Sequence, residues 1–355
     1  MKKYLKTILA LTVFPQILLV KWLGSFPEFI ENYYSMGLYP YLAKGFRFAF
    51  GWIPFSIGDL FYTIAGILAI RFLILKGKTL FKKPLFFLRE VFVIISLTYF
   101  VFHLLWGMNY YRQPIHKKLH ISTAYTTADL ADFTEKLIAK TNAVHRSITG
   151  NDTLPVTLPY GKKDIFNKTP EGFKHLSRNI PGLSYQPVSI KTSLYSLVLT
   201  YMGYSGYLNP FTNEAQVNGL IPLFKFPMVS CHEEVHQLGY AAENEANFIG
   251  YLAAIHHTDA YFKYSAYSYG LKYCLNALKQ KDPKKFKALY PNINTGILKN
   301  YIEADNFWRT YQNKAEVVFK HSYDAFLKMN NQAGGIKSYS YMVPLLINYH
   351  KEHPL

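Results

Sequence analysis

The chain has 355 residues, of which 50% are hydrophobic and 17% charged against a usual charged fraction of ~25%, so a disordered chain and a coiled coil are excluded. Its formal charge of +17 divides into +8 for residues 1–107 and +9 for residues 108–355 without a lysine or arginine block, and we expect no nucleic-acid partner. Only two cysteines are present, Cys231 and Cys274, which excludes a disulfide framework and leaves histidine and carboxylate as the ligands for any metal.

The N-terminal part of the chain contains three apolar segments, at residues 4–23, 55–75 and 87–106. Each has about the ~20 residues that a helix needs to cross ~30 Å of hydrocarbon. The first segment follows Lys2 and Lys3 as a signal peptide would, but no small-x-small cleavage site comes after it, so we expect an uncleaved segment. We therefore predict that residues 1–107 form an anchor of three transmembrane helices in the lipid bilayer.

The lysines beside these segments predict their orientation. They cluster at residues 2–6, before the first segment, and at residues 76–83, between the second and the third. Positively charged short loops favour the cytoplasmic side of a membrane. We expect a multi-pass protein of the cell membrane with a cytoplasmic N-terminus, a loop at 24–54 outside, and residues 108–355 as an extracytoplasmic domain.

The predicted fold class of the whole chain is α+β and mainly helical. Apolar spacing after Thr126 predicts a helix over 127–148, and a shorter helix is expected at 170–180. Two stretches rich in β-branched and aromatic residues, 184–203 and 205–218, predict two or three strands or a hairpin, and thus a small sheet. The remaining predicted helices cover 228–238, 243–257, 259–280, 283–290, 297–329 and 335–349.

The most informative motif is HExxH, formed by His232, Glu233 and His236. Two histidines four residues apart project from one face of a helix, so their imidazoles can bind one metal ion, and the glutamate beside them can accept a proton from water. We therefore predict a Zn²⁺ site on this helix, with Glu233 as the catalytic general base and the two histidines as metal ligands. Cys231, which precedes the motif, is expected to pack within the helix rather than bind metal.

The third metal ligand is expected on the next helix. Gly239 is a natural end for the HExxH helix, and Ala242 occupies the position of the third ligand in the metzincin pattern, where alanine offers no donor atom. Glu243 and Glu245 remain as candidates, and they point about 200° apart on a helix, so one of them is expected to bind. The segment from Glu243 resembles the ExxA(D/N) element of membrane-bound gluzincin peptidases. By that match Glu243 is the ligand, Glu245 is the alternative, and Asn247 supports the site from behind the ligands.

Other residues are candidates for contacts with a substrate. A hydrogen-bond donor is needed to stabilise the oxyanion of a hydrolytic reaction, and the helical stretch after the motif offers three candidates, Tyr264, His256 and His257. The 209–218 segment is a candidate edge strand that pairs with an extended peptide. Its polar residues Glu214 and Asn218 would then lie beside the substrate, whereas the alternative is that both are ordinary loop residues.

Several motifs along the chain resemble a family of bacterial membrane proteins grouped as domain-of-unknown-function family 3810. They are PFSIGD at 54–59, WGMNYYR at 106–112, NPFTNEA at 209–215, HEEVHQLGY at 232–240, ENEANF at 243–248 and YSAY at 264–267. The resemblance extends over most of the chain. It implies a multi-pass membrane protein with a zincin-like, HExxH zinc-peptidase domain, and it supplies no substrate.

The function expected from these residues is hydrolysis of a peptide bond by a membrane-anchored zinc metallopeptidase. A zinc-activated water would attack the carbonyl while Glu233 transfers the proton to the leaving amine. The alternative is a non-catalytic membrane sensor or envelope assembly factor with a structural or vestigial zinc site. Retention of Glu233 argues against that alternative, since a structural site needs no general base. The substrate is a peptide or protein of unknown identity, and a cell-wall peptide is a further option.

Overall fold

The computed structural model describes residues 2–355 and is mainly helical. Three helical segments are long and apolar enough to cross a membrane, Tyr4–Gly24, Ile57–Lys82 and Pro84–Leu105, which confirms the three predicted apolar helices. The chain is accordingly a membrane protein. The side chains of Lys2 and Lys3, on which the predicted orientation partly rests, lie outside the described part. The helices of this region are α1 (Lys2–Leu11), α2 (Val13–Gly24), α3 (Pro27–Phe29), a π-helix (Ile30–Leu38), α4 (Tyr39–Phe50), α5 (Ile57–Lys82) and α6 (Pro84–Leu105).

The membrane helices pack around α6, which contacts α1, α2 and α5. The hydroxyl of Ser96 on α6 shares a hydrogen bond of 2.9 Å with the Thr12 hydroxyl and accepts one of 3.0 Å from Gln16 Nε2. Such polar contacts join helices where lipid offers no hydrophobic driving force for association. Apolar side chains on the outer faces, such as Ile67 and Ile74 of α5, are exposed and are therefore free to contact lipid.

The segment between the first two membrane helices, expected at 24–54 as a connection on the outside, is mostly helical, and its placement outside stays a prediction. Its aromatic side chains need a buried surface, and they find one against the end of α6. Tyr34 and Tyr39 share a hydrophobic core with Trp106 and Tyr110. Residues on both sides of position 107 thus belong to one packed core, although the predicted domain boundary at that position stays a prediction.

The rest of the chain forms a helical domain with one small sheet. The capping box of Thr126 and Asp129 fixes the start of the first long helix, close to its predicted position. Short 3₁₀ turns occur at Gly107–Tyr111, Leu223–Lys225, Tyr290–Asn292 and Gly335–Tyr341. The elements are α7 (Ile115–Lys118), α8 (Thr127–Thr149), α9 (Lys162–Leu176), β1 (Ile190–Thr192), α10 (Ser196–Met202), β2 (Gly206–Asn209), β3 (Glu214–Val217), α11 (Phe226–Gln237), α12 (Glu243–Ile255), α13 (Ala260–Lys281), α14 (Pro283–Leu289), α15 (Thr295–Tyr311), α16 (Lys314–Met329) and α17 (Met342–Glu352).

Three sequence predictions of local structure need correction. The helix expected at 170–180 is α9, which begins earlier and contains Pro170. The stretch 184–203 contains only the short strand β1, and its second half is α10, where tertiary contacts override the strand propensity of its residues. The single helix predicted over 297–329 is two helices, because the Asn313 side chain accepts a hydrogen bond from the Glu316 N–H and starts a new helix, α16.

The sheet and three helices surround α11. The strand order is β1-β3-β2, so β3 is central, parallel to β1 and antiparallel to β2. Helix α11 packs on β2 and β3 on one side and on α9, α12 and α13 on the other. Side chains in this core are fully buried, Val235 of α11 and Phe248 of α12 among them. The HExxH motif therefore lies at the centre of the domain.

Candidate metal centre

Helix α11 ends where the sequence predicts. Gly239 has a φ of 85°, and its N–H donates to the His236 carbonyl at 3.0 Å. The Tyr240 N–H donates to the Val235 carbonyl at 3.3 Å, which completes a Schellman motif. A left-handed residue is required at this point, and glycine adopts it without steric cost. The chain then turns back so that α12 starts three residues after Tyr240.

Helix α12 crosses α11 at a very short distance. A Cβ atom placed on Gly250 would lie 2.9 Å from the backbone nitrogen of His232, so only glycine permits this approach. Glu243 is the first residue of α12, and the crossing brings its side chain against both imidazoles of the motif. The position of the third carboxylate thus depends on packing between the two helices.

The donor atoms of His232, His236 and Glu243 converge on one point. Glu243 Oε2 lies 3.3 Å from His232 Nε2 and 3.5 Å from His236 Nε2. Ligands at ~2.0–2.1 Å from a tetrahedral zinc ion are about 3.3–3.4 Å apart, whereas hydrogen-bonded ion pairs are about 2.7–2.9 Å apart. Glu243 Oε2 is also buried without a hydrogen-bond partner among residues 2–355. The spacing and the unpaired oxygen both fit a metal ion between these three groups.

Glu233 completes the cluster, and Glu245 lies outside it. Donor atoms of His232, Glu233 and His236 all lie within 4.8 Å of one another. Glu245 turns to the opposite side of α12, where its Oε1 accepts a hydrogen bond of 2.6 Å from the Ile115 N–H. Of the two candidate carboxylates on α12, Glu243 is therefore the one beside the histidines.

Neighbouring groups hold some of these side chains in place. His236 Nδ1 lies 2.7 Å from the Tyr240 carbonyl, and as the donor it leaves Nε2 free to bind a metal. The Tyr323 hydroxyl donates to Glu243 Oε1 at 2.5 Å. In contrast, His232 Nδ1 is buried with no partner in the described part of the chain.

Asn247, predicted to support the ligands, contacts tyrosines instead. Its Oδ1 accepts a hydrogen bond of 2.8 Å from the Tyr269 hydroxyl, and its Nδ2 lies 3.5 Å from the Tyr339 carbonyl. It lines a cavity that it shares with His232 and Glu233. Asn247 thus forms part of the wall of the site and makes no hydrogen bond to a candidate ligand in the described part of the chain.

Burial and mutual charge shift the pKa values of the cluster. Burial raises the pKa of Glu233 to about 7, against the opposing charges of the two histidines. Burial lowers the pKa of His236, but the charges of Glu243 and Glu233 outweigh burial and raise that pKa to about 9. Burial alone would raise the pKa of Glu243, but the charges of the two histidines outweigh it and hold this pKa well below the usual range. Glu243 is therefore anionic beside a protonated His236, and the imidazole must release that proton to bind a metal ion.

The last turn of α11 is held by side chains from the membrane part and the segment that follows it. Trp106 Nε1 donates to the His236 carbonyl at 3.1 Å, and the Tyr39 hydroxyl donates to the Gln237 carbonyl at 3.0 Å. Arg112 Nη1 donates to the Gly239 carbonyl at 2.8 Å. A helix C-terminus leaves its final carbonyls without partners, and these donors satisfy them. No sequence pattern indicates this role, although Trp106 and Arg112 both lie in the WGMNYYR motif at 106–112.

The prediction of an edge strand at 209–218 is wrong for most of that range, because it contains β3, which is the central strand. The edge strand near Glu233 is β2. Glu214 on β3 accepts hydrogen bonds from the backbone N–H groups of Ile57 and Gly58 and caps the start of α5. Asn218 donates to the Thr200 hydroxyl at 2.8 Å, away from the cluster.

Strand β2 approaches Glu233 closely because Gly206 has no side chain. A Cβ atom at this position would lie 2.5 Å from Glu233 Oε1. Gly206 lines both cavities that adjoin the cluster. The backbone of β2 therefore forms one wall of the site.

The three residues predicted to stabilise an oxyanion lie elsewhere. The Tyr264 hydroxyl donates to Asn300 Oδ1 at 2.7 Å, His256 Nδ1 lies 2.8 Å from the Leu252 carbonyl, and His257 Nε2 lies 3.1 Å from the Lys168 carbonyl. Each is engaged in packing the helices of the domain. The hydroxyls that do line the site together with Glu233 come from three separate segments, Tyr204, Tyr323 and Tyr339. Their distance in sequence from the motif explains why spacing alone did not indicate them.

Comparison with known proteins identifies the chain at the level of a family. No curated protein and no solved structure shows a significant match to it. The model of a family described as "Protein of unknown function (DUF3810)" matches residues 34–347, which is most of the chain. The matched range includes the cluster of His232, Glu233, His236 and Glu243, the strand β2 and the two membrane helices α5 and α6. The chain therefore belongs to this family.

Proposed function

We propose that this protein is a membrane-anchored zinc metallopeptidase, in which His232, His236 and Glu243 hold the ion. The observation that supports it best is the separation of 3.3 and 3.5 Å between the Glu243 oxygen and the two imidazole nitrogens, with that oxygen buried and unpaired. Three protein ligands leave one position of a tetrahedral ion open for water, which is typical of catalytic rather than structural zinc.

The chain's own residues would divide the work of peptide hydrolysis. A zinc ion in this site lowers the pKa of water and polarises a carbonyl. Glu233 would accept the proton from the attacking water and pass it to the amine when the carbon–nitrogen bond breaks. Tyr204, Tyr323 and Tyr339 line the same space and are the candidates to donate a hydrogen bond to the oxyanion. For that role Tyr323 would have to release Glu243 Oε1, and Tyr204 the Phe319 carbonyl.

Strand β2 is positioned to bind the backbone of a substrate. It is a terminal strand of the sheet within residues 2–355, and one of its edges pairs with β3. An extended peptide can add to the other edge of such a strand by main-chain hydrogen bonds. Because Gly206 of β2 adjoins Glu233, a peptide in that position would have its scissile bond next to the general base.

We also propose that the metal cluster lies outside the cytoplasm of a cell-membrane protein. Lysines occupy the junction of α5 and α6, at residues 76, 78, 82 and 83. Short basic junctions favour the cytoplasmic side. The opposite ends of α5 and α6, at Ile57 and Leu105, adjoin the domain that contains the cluster. With the lysine junction inside, that domain is outside.

The test compares three variants of the full-length protein. His232→Ala and His236→Ala each remove a ligand and are expected to abolish stoichiometric zinc, measured by elemental analysis. Glu233→Gln is expected to keep zinc and lose cleavage of a peptide mixture by ~10²–10⁴-fold. The matched control is Glu234→Gln, because Glu234 is the next carboxylate on α11 but hydrogen-bonds to the Thr169 hydroxyl on α9. Equal activity of the Glu233→Gln variant and the wild type would exclude this mechanism.

A further inference from the structure

A large apolar cavity joins the metal cluster to the membrane helices. It has a volume of about 630 Å³, and its inner end is formed by His232, Glu233, His236 and Glu243. Its other end is formed by Tyr62 of α5 and Phe102 of α6, which belong to the second and third candidate membrane spans. The cavity is therefore continuous from the candidate catalytic groups to the bilayer-facing part of the protein.

The walls between these two ends are apolar. Val198, Leu199 and Met202 of α10 line one side, and Leu208 and Phe211 line another. Only a few polar groups interrupt this surface, so water would be a poor occupant and an apolar group a favourable one.

The rim of the cavity exposes apolar side chains in the way that a membrane-contacting surface does. Helix α10 and the residues before it expose Leu194, Leu197 and Val198 to 58%, 53% and 52%, respectively. The Leu194 N–H donates to Asp59 Oδ2 at 2.7 Å, which fixes this rim beside the first turn of α5. Contact with the bilayer would explain why these apolar side chains, which lie beside the first turn of a membrane helix, are exposed.

The second cavity beside the cluster is smaller and has a larger share of polar surface. It has a volume of about 330 Å³ and shares His232, Glu233 and Gly206 with the apolar cavity. Its other lining groups are mostly polar or basic, Ser205, Lys225, Asn247, Tyr269 and Lys320 among them, and no residue of a candidate membrane span is included. The two cavities thus meet at the general base.

From this arrangement we infer the class of substrate, and the inference rests on the proposed peptidase function. The substrate is a polypeptide that approaches from the bilayer, with an apolar segment on one side of the scissile bond and a polar segment on the other. The apolar segment occupies the cavity that reaches α5 and α6, and the polar segment occupies the cavity that contains Lys225 and Lys320. The continuity with the lipid-facing surface favours such an occupant, and so does Lys225 at the polar end, which an acidic residue would complement, whereas Lys320 already pairs with Glu316.

The test uses full-length zinc-loaded protein in phospholipid vesicles and four synthetic peptides of equal length. Two have an apolar half joined to an acidic polar half, one in each order, the third has the same composition scrambled, and the fourth is entirely polar. We expect cleavage at the junction of the two halves, with kcat/KM about tenfold or more above that of the scrambled peptide. Binding of the same peptides to the Glu233→Gln protein, measured by fluorescence anisotropy, is expected to follow the same order.

A substitution in the cavity provides an independent measurement. Met202→Glu places a charge against the apolar lining and is expected to raise KM for the two-part peptide by about tenfold or more, because burying an unpaired charge is costly. Zinc content of this variant verifies that the site is intact. Met202→Leu is expected to restore KM. The matched control is Leu154→Glu, since Leu154 is an exposed leucine that does not line the cavity.

The outcomes separate this inference from the proposed function. Equal cleavage of the scrambled or polar peptide would refute the substrate class and leave the peptidase function standing. Preferred binding of the two-part peptide without cleavage of any peptide would support the substrate class and contradict the peptidase function. Absence of preferred binding would overturn the inference. So would phospholipid binding that Met202→Glu abolishes while peptide binding is unchanged, because the cavity would then hold a lipid chain.

Discussion

Replacement of Glu243 and of Glu245 by glutamine, each alone, tests the assignment of the third ligand. The two substitutions are chemically identical and two residues apart on one helix, yet the structure places them in different surroundings. Glu243 Oε2 lies 3.3 Å from His232 Nε2, whereas Glu245 Oε1 accepts the Ile115 N–H at 2.6 Å. Glu243→Gln should therefore lose metal affinity, and Glu245→Gln should keep it.

The expected magnitudes follow from these contacts. Loss of a group that merely supports a ligand costs ~10–100-fold in metal affinity, so loss of the anionic ligand itself should cost more, about 10³-fold or ~4 kcal/mol. Burial raises the pKa of Glu245 to about 7, so its charged form is disfavoured in the folded protein. Glu245→Gln keeps an acceptor for the Ile115 N–H and removes that buried charge, so this variant should keep zinc affinity and should not lower the free energy of unfolding by more than about 1 kcal/mol.

The assay is a zinc titration with a competing chelator at pH 8, together with thermal unfolding of each variant without metal. A single pH is needed because ligand protonation changes the apparent affinity. The reasoning is refuted if Glu245→Gln lowers zinc affinity more than Glu243→Gln does. Equal affinities for both variants and the wild type would show that the ion, if bound, has no ligand on α12.

Three further predictions concern orientation, the strand wall and the helix end. A reporter fused after residue 80 is expected to indicate the cytoplasm and one fused after residue 120 the outside; the reverse pattern would place the metal cluster inside the cell. Gly206→Ala is expected to lower kcat while zinc content stays at the wild-type level, because the added Cβ would meet Glu233 Oε1 at 2.5 Å, and unchanged kinetics would contradict the close contact. Trp106→Phe keeps the aromatic packing but removes the donor to the last turn of α11, so chemical denaturation should show a loss of about 1 kcal/mol, and no loss would mean that this hydrogen bond contributes nothing.

The sequence indicated the parts of this protein that depend on local pattern. Apolar runs of sufficient length predicted the three membrane helices, because crossing hydrocarbon requires a continuous apolar segment. The glycine at position 239 predicted the end of α11, since few residues other than glycine adopt the left-handed conformation found there. The four-residue spacing of His232 and His236 likewise placed both imidazoles on one helix face.

Other features depended on which segments meet in space, and local pattern contains no such information. The sequence left Glu243 and Glu245 open, and only the crossing of α12 over α11 at Gly250 turns Glu243 toward the histidines. The same holds for the tyrosines that line the site, which come from segments more than a hundred residues apart in the chain, such as Tyr204 and Tyr339. Similarly, the polar residue Glu214 is buried, because it lies on the central strand β3. Its carboxylate accepts a hydrogen bond from the Gly58 N–H and so caps the membrane helix α5. Tertiary packing decides the place of a strand in its sheet and the partner of a side chain across the core. The residues that form the wall of this candidate site are brought together in this way.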